Sequence, residues 1–332
     1  MSKQIIVSAP GKIHLLGEHF VVYFAPAILA TVDLRTTVTI ARCHSGDSDI
    51  LSEDTRIYSG KDSGQARLVS DESERARMTE IVEPIIKKHL KIKTIPPYKL
   101  EISSQIPIGA GLGSSAAISA ACIAALLSFL KVKWDLNLIN SLTYEAEKVF
   151  HGNPSGGDNS TITFGSIIRF IREPKTIKPL GINIPERLAQ NFVLINTGKP
   201  KKSTGEMVSL VKVLREKNPQ LFNESLKSQT ELAEKLLPVL KSGDSSKFIK
   251  IIRLGEKNLE AIGVVSKTSQ KIIRKIEKAG GAAKICGAGS TTGPTGIILA
   301  YHPDKTKVEK IARSYKLPYF STTLGVEGVR QE

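Results

Sequence analysis

The spacing of apolar and polar residues changes period repeatedly along the chain, and each change predicts an element. Tyr98, Leu100 and Ile102 alternate with Lys99, Glu101 and Ser103, the period-2 mark of a half-buried strand. After a glycine-rich turn, residues 114–130 run through Ala, Ile, Leu and Ser without Gly or Pro, which predicts a helix buried on all sides. Residues 4–8 read as a short strand ending at Pro10, and the β-branched run 27–41 as a longer one. Residues 44–76, rich in Ser, Asp, Glu and Arg, read as exposed loop and hairpin. Over 79–90, Ile81, Val82, Ile85, Ile86 and Leu90 recur at helical spacing, with Pro84 placed near the first turn. Residues 137–150 are again helical, 151–161 form a turn, and 164–171 a strand.

Three prolines and a glycine in 174–185 mark a boundary between 1–183 and 184–332. Beyond it come a strand at 192–196, helices near 205–216, 219–240, 245–262 and 266–279, and strands at 284–286 and 297–301. A helix at 305–315 and a strand at 319–324 finish the chain. This order is that of a two-layer α+β domain. A length of 332 residues agrees with two domains at about 150 residues each.

The turn between the strand at 98–104 and the buried helix reads IPIGAGLGSSAA. A helix start offers unpaired backbone N–H groups and a positive dipole end, and Gly109, Gly111 and Gly113 let a bulky anion come close. A nucleotide phosphate is the expected occupant. Neither GxxxxGK[ST] nor GxGxxG is spelled here, because Ser114 stands where each would need another residue. Such a turn can equally serve tight packing alone.

Charge adds to the anion reading. Lys and Arg number 47 against 32 Asp and Glu, a net +15, which favours anionic partners. A nucleic-acid binder is disfavoured by 5% aromatics and the lack of any RNA- or DNA-binding motif. The 114–130 run is too short for a membrane span of about 20 residues. Cys43, Cys122 and Cys286 are scattered, with no CxxC pair, which argues against a disulfide framework and for a reducing cytoplasm.

In 10–23, Lys12, His14, Glu18 and His19 are interleaved with Ile13, Leu15, Leu16, Val21 and Val22, so an apolar frame can bury while polar groups meet a cleft. His14 reads as a satisfied core histidine. Glu147 and Asp158 bracket the glycine-rich turn HGNPSGGDN. They suit a metal ligand and a proton acceptor, or else a helix-face Glu and a turn-capping Asp. The basic KPKK of 199–202 reads as a solvated loop beside Ser203 and Thr204, whose hydroxyls can face the cleft.

Taken together, PGKIHLLGEHFVVY, IPIGAGLGSSAA and KICGAGSTTG, in that order over nearly the whole length, resemble the GHMP small-molecule kinases. HGNPSGGDN and His19 point to the mevalonate-phosphorylating branch, since galactokinase-like members carry Asp where Phe20 stands. The resemblance implies an α+β fold with a ribosomal-protein-S5-like N-terminal domain, a ferredoxin-like C-terminal domain, and ATP with Mg²⁺ in the cleft between them. It implies ATP contacts at Pro107, Gly109, Ala110, Gly111, Leu112, Gly113, Ser114 and Ser115, and Mg²⁺ held by Ser115 and Glu147. It implies Asp158 and Lys12 as the catalytic pair, Asp158 touching the substrate hydroxyl with Lys12 beside it. In a loose transition state the hydroxyl keeps its proton until late, so Asp158 is expected to act chiefly as an orienter and late acceptor. Mevalonate would meet Lys12, Glu18, His19, Asp158, Thr204, Gly287 and Ala288. Two departures stand out. Phe24 replaces a usual glycine, so the turn into Ala25 and Pro26 is expected to differ. Ser290, Thr291 and Thr292 replace glycines in the last motif, so either that loop lies farther from the phosphates or its hydroxyls replace backbone donors. Phosphomevalonate kinase, another GHMP kinase, or a non-catalytic sensor on this fold are the alternatives. Joint presence of Lys12, Ser115, Glu147 and Asp158 argues against the sensor. The oligomeric state, a homodimer included, stays open.

Overall fold

A computed structural model describes residues 4–42, 72–152, 154–172 and 176–332, with only the backbone path given for 72–77. The loop and hairpin expected over 44–76 lie outside the described residues up to 71, as does Cys43. The first half runs β1 Ile5–Leu16, a 3-10 helix His19–Tyr23, β2 Ala27–Arg42, α1 Glu72–Leu90, β3 Tyr98–Ser104, α2 Ser114–Phe129, α3 Leu136–His151, α4 Gly157–Phe164, β4 Ile167–Ile171 and β5 Thr176–Pro179. The second runs α5 Glu186–Ala189, β6 Phe192–Asn196, α6 Thr204–Lys217, α7 Pro219–Ser242, α8 Ser245–Ala261, α9 Lys267–Lys278, β7 Ala282–Cys286, β8 Ile297–Tyr301, α10 Thr306–Ser314, β9 Tyr319–Thr322 and β10 Arg330–Gln331.

Two sheets result. One has the order β10-β1-β2-β4-β5 with β3 also on β2; the other is β7-β8-β6-β9. The α2 helix is apolar on every side because it is covered on every side: residues 116, 117, 120, 121 and 123–127 are at most 1% exposed, packed with β1 and β2 on one flank and α3 on another. In α9 the buried Ile272, Ile273 and Ile276 form one stripe, as the helical period requires.

The sequence reading does not give the 3-10 helix at His19–Tyr23, β5 inside the proline-rich 174–185 stretch, or α5, and four further differences have a clear physical reason. The first strand does not stop at Pro10 but continues to Leu16. Register shifts at Pro10/Gly11 and His14/Leu16 absorb the irregular residues, since a bulge tolerates a residue that cannot donate to the ladder. Helix α1 begins seven residues earlier, at Glu72, so Pro84 lies inside it rather than near its first turn. The turn after HGNPS is followed by a helix, α4, and the strand starts only at Ile167. Gly156 at φ 88 opens α4; the Ser160 and Thr161 hydroxyls donate to the carbonyls of Gly156 and Gly157, so a polar helix can bury. Finally, the last residues return to the first sheet as β10, antiparallel to β1.

That return is tightly packed. Arg35 donates to the carbonyls of Glu327, Gly328 and Ser8, and a Cβ on Gly328 would lie 2.0 Å from the Thr163 carbonyl oxygen. Gly328→Ala is therefore expected to destabilise the protein by about 1–3 kcal/mol, the usual range for overpacking, read as a lower urea or thermal midpoint. An unchanged midpoint would mean that the tail does not need this close contact.

Candidate active site

Three bends distant in sequence meet at one crevice, and backbone bonds join them. The Lys12 N–H donates to the Leu112 carbonyl at 2.9 Å, and the Ile297 N–H donates to the Ala110 carbonyl at 3.0 Å. The middle loop passes so close to the last one that a Cβ on Gly111 would lie 2.5 Å from the Cys286 carbonyl oxygen. Gly113, at φ 72, opens α2 without any side-chain cap, which leaves the first-turn amides facing the crevice for an anion. Pro107 and Leu112 are buried and frame the loop from beneath, whereas Gly109, Gly111, Ser114 and Ser115 are at least partly open.

Beside this loop Lys12 Nζ lies 3.0 Å from Asp158 Oδ2. The lysine side chain is 4% exposed and that of Asp158 37%, so the carboxylate faces the crevice with the ammonium beneath it. The lysine reaches this point from β1, its stem packed where a Cβ on Gly113 would intrude at 3.0 Å from Lys12 Cγ. Asp158 stands in the first turn of α4, where the helix dipole favours a negative charge. From α3, Glu147 is buried with Oε1 unpartnered. Its Oε2 lies 3.5 Å from His151 Nε2, which is 3.5 Å from Ser115 Oγ. Burial first, and then the charge of Asp158, push the Glu147 carboxyl up to about 7, against the pull of Ser115 and Lys12. Burial, followed by the charges of Lys12 and Lys284, holds His14 well below its ordinary value, so it is a neutral imidazole, 3.4 Å from Lys12 Nζ through Nδ1.

Glu18 is turned inward. Its carboxylate forms a fully buried ion pair with Lys284, whose ammonium also donates to the carbonyls of His14 and Ile285. Glu18 Oε2 has no partner, and burial raises the Glu18 carboxyl. Next to it, His19 Nε2 meets the Ala288 carbonyl at 2.8 Å. Burial lowers the His19 value, so the ring is neutral and donates here. Glu256 from α8 accepts the Ile285 N–H. A cavity of about 360 Å³ opens between the glycine loop and the second half, with Thr204, Cys286, Ala288, Gly289 and Thr295 among its lining. Lys284 and His151 escaped the sequence reading. A lone lysine inside the strand AAKIC was the signal for Lys284; nothing local marks His151.

Phe24 takes the left-handed backbone, φ 69 and ψ 8, and bears strain of about 1–3 kcal/mol with its ring 56% exposed. Ser290 does not offer its hydroxyl to the crevice. It is buried, donates to the Thr292 carbonyl, and its N–H is held by the Val264 carbonyl.

The family described as GHMP kinases N terminal domain matches residues 78–166. The chain is 32% identical to the mevalonate kinase of Archaeoglobus fulgidus, over 86% of this chain and 89% of that one. It is 30% identical to the mevalonate kinase of Pyrococcus abyssi over 100% and 99%. In three dimensions it is similar to L. major mevalonate kinase crystallised with R-mevalonate, with a TM-score of 0.79, 21% identity and coverage of 99% and 97%.

Two outcomes follow from these electrostatics. Lys284→Met leaves Glu18 buried and unpaired, so it is expected to cost about 3–5 kcal/mol, and adding Glu18→Gln should restore part of that; no gain in the double variant would place the cost in packing instead. For Glu147, the folded-state value lies above the unfolded one, so its stability contribution is full at low pH and is lost as pH rises through about 7. In EDTA, Glu147→Gln should gain on the parent protein between pH 5 and pH 8 by about 3 kcal/mol in urea unfolding. A constant difference across that window would contradict the assignment.

Proposed function

The chain belongs to the mevalonate kinases of the GHMP kinase family, and from that membership we infer that it transfers the terminal phosphoryl group of ATP to the 5-hydroxyl of mevalonate, giving 5-phosphomevalonate for isoprenoid synthesis. The observation that carries the assignment of roles is the Lys12–Asp158 contact at 3.0 Å, beside the open start of α2.

Phosphoryl transfer to an alcohol runs through a loose transition state, so the protein contributes mainly positioning and charge neutralisation. The N–H groups of the 109–115 loop bind the phosphates. Asp158, the exposed member of its pair, orients the mevalonate hydroxyl and accepts its proton late. Lys12 offsets the charge that develops on the transferred group. His19, Thr204, Gly287 and Ala288 line the hydroxy-acid end, and the buried Glu18 supports that wall from behind. In this reading residues 1–183 supply the nucleotide loop and 184–332 the opposing wall.

Ser115 and Glu147 suit a magnesium ion, because Glu147 keeps one buried oxygen without a partner. Among the described residues no three His, Cys, Asp or Glu side chains could hold a metal by themselves, which agrees with an ion that takes one or two carboxylates and completes its shell with substrate phosphates and water. When bound, the ion supplies further charge neutralisation to the phosphates. Among the described residues no helix is long and apolar enough to cross a membrane. Cys122 and Cys286 are buried free thiols pushed up to about 12 and about 11 by burial. Inert thiols fit a cytoplasmic enzyme.

ADP release measured with mevalonate, phosphomevalonate and galactose tests the reading; turnover with mevalonate well above the other two is expected, and its absence would refute it. Asp158→Asn should lower kcat by about 10²–10⁴ with little change in KM for ATP, and near-normal turnover would remove Asp158 from the mechanism.

A further inference from the structure

The loop that holds the phosphates in this reading has no charge of its own, since residues 105–117 contain no Lys, Arg, Asp or Glu. Lys12, packed beside Gly113 at the start of α2, is shared between Asp158 and the transferred group. A polyphosphate carrying several negative charges can take a further cation from the protein. Lys199 stands at the right place: Cε, Cδ and Cγ of its side chain lie 3.5, 3.8 and 3.9 Å from where a Cβ on Gly109 would be. It lines the same cavity as 109–111. Among the described residues no carboxylate pairs with it, whereas its neighbour Lys202 acts on Glu206.

Its position is held by more than one bond. The Thr197 N–H and hydroxyl both donate to the Gly296 carbonyl, the Thr295 N–H donates to the Thr197 hydroxyl, and Gly198, at φ 103, packs on Pro294. Gly296 in turn passes so close to the middle loop that its Cβ would lie 2.7 Å from the Ala110 carbonyl oxygen. Lys199 is thus carried one residue beyond a turn anchored, through 294–297, to the glycine loop itself. Its backbone is preorganised while its exposed side chain stays free to follow a ligand.

We propose that Lys199 is a phosphate ligand contributed by the second half of the chain, closing over Gly109 onto the nucleotide's phosphate chain. This rests on the nucleotide-binding reading of the loop above. The closest competitor is the carboxylate of the hydroxy acid, which a lysine could also bind; the place of Lys199 over the first glycine of the loop favours the phosphates.

The test compares the full-length protein with Lys199→Met and Lys199→Arg, by steady-state kinetics in ATP and in mevalonate and by calorimetric titration with ADP alone. Lys199→Met is expected to raise both the KM for ATP and the Kd for ADP by about ten- to a hundredfold, the usual worth of a charge-assisted hydrogen bond, with KM for mevalonate within twofold. Lys199→Arg should retain most of the affinity. A KM for mevalonate that rises while ADP binding is unchanged would assign the cation to the carboxylate and overturn the proposal, as would no change in either. A loss of kcat alone, at constant Kd for ADP, would overturn it too. Because ADP titration needs no turnover, a parent protein inactive toward mevalonate would sink the kinase reading while leaving the role of Lys199 measurable.

Discussion

The crevice depends on a buried ion pair that crosses from one half of the chain to the other. Glu18, between β1 and the 3-10 helix that follows it, and Lys284, in β7, are both closed to solvent. Removing two charges from water is costly, and the pair is held only because the ammonium also satisfies two carbonyls, those of His14 and Ile285. Lys284 is buried among Glu18, Glu256 and Cys286, and their pull outweighs the effect of burial and raises its value, so it stays protonated. One residue along, His19 reaches Ala288. The two links join the 18–19 corner to the 284–288 strand and loop.

Around this clasp, contacts between backbones do what side chains cannot. The middle and last loops approach within a distance that excludes a Cβ at Gly111 and at Gly296. Glycine is required there because of what lies opposite, not merely because a turn occurs. The same logic explains why Ser290 is tolerated in a stretch where glycine is usual: its side chain points into the loop and closes it, away from the crevice. At Phe24 the outcome is different, for a non-glycine residue takes the left-handed conformation and bears the strain.

One wall of the crevice combines groups of opposed character. Asp158 gains from a helix start and an adjacent ammonium, whereas Glu147 is starved of solvent and left with a bare oxygen. Two carboxylates of one crevice thus stand in unlike surroundings, Asp158 partly open beside an ammonium and Glu147 closed to solvent, its carboxyl raised by burial.

Much of this was legible in the chain itself. The β3-to-α2 transition follows from a switch of apolar period from two to all-round burial, and the bounds of β3 agree with its alternation and those of β6 and β8 with their short continuous apolar runs, because these segments are patterned by a single local environment. Lys12, Ser115, Glu147 and Asp158 stood out as residue types beside glycine-rich bends, and the structure brings them to one crevice. Other features were not. The continuation of β1 through Pro10 needed bulges whose register is set by β2, and α4 is a helix of hydroxyl residues that only burial against its neighbours stabilises. The inward turn of Glu18, the anchoring of Lys199 through 294–297 and the return of the tail to β1 all join residues far apart in sequence. Local pattern carries information about periodicity and backbone freedom. Which charges meet, and which are left for a ligand, is decided by long-range closure of the chain.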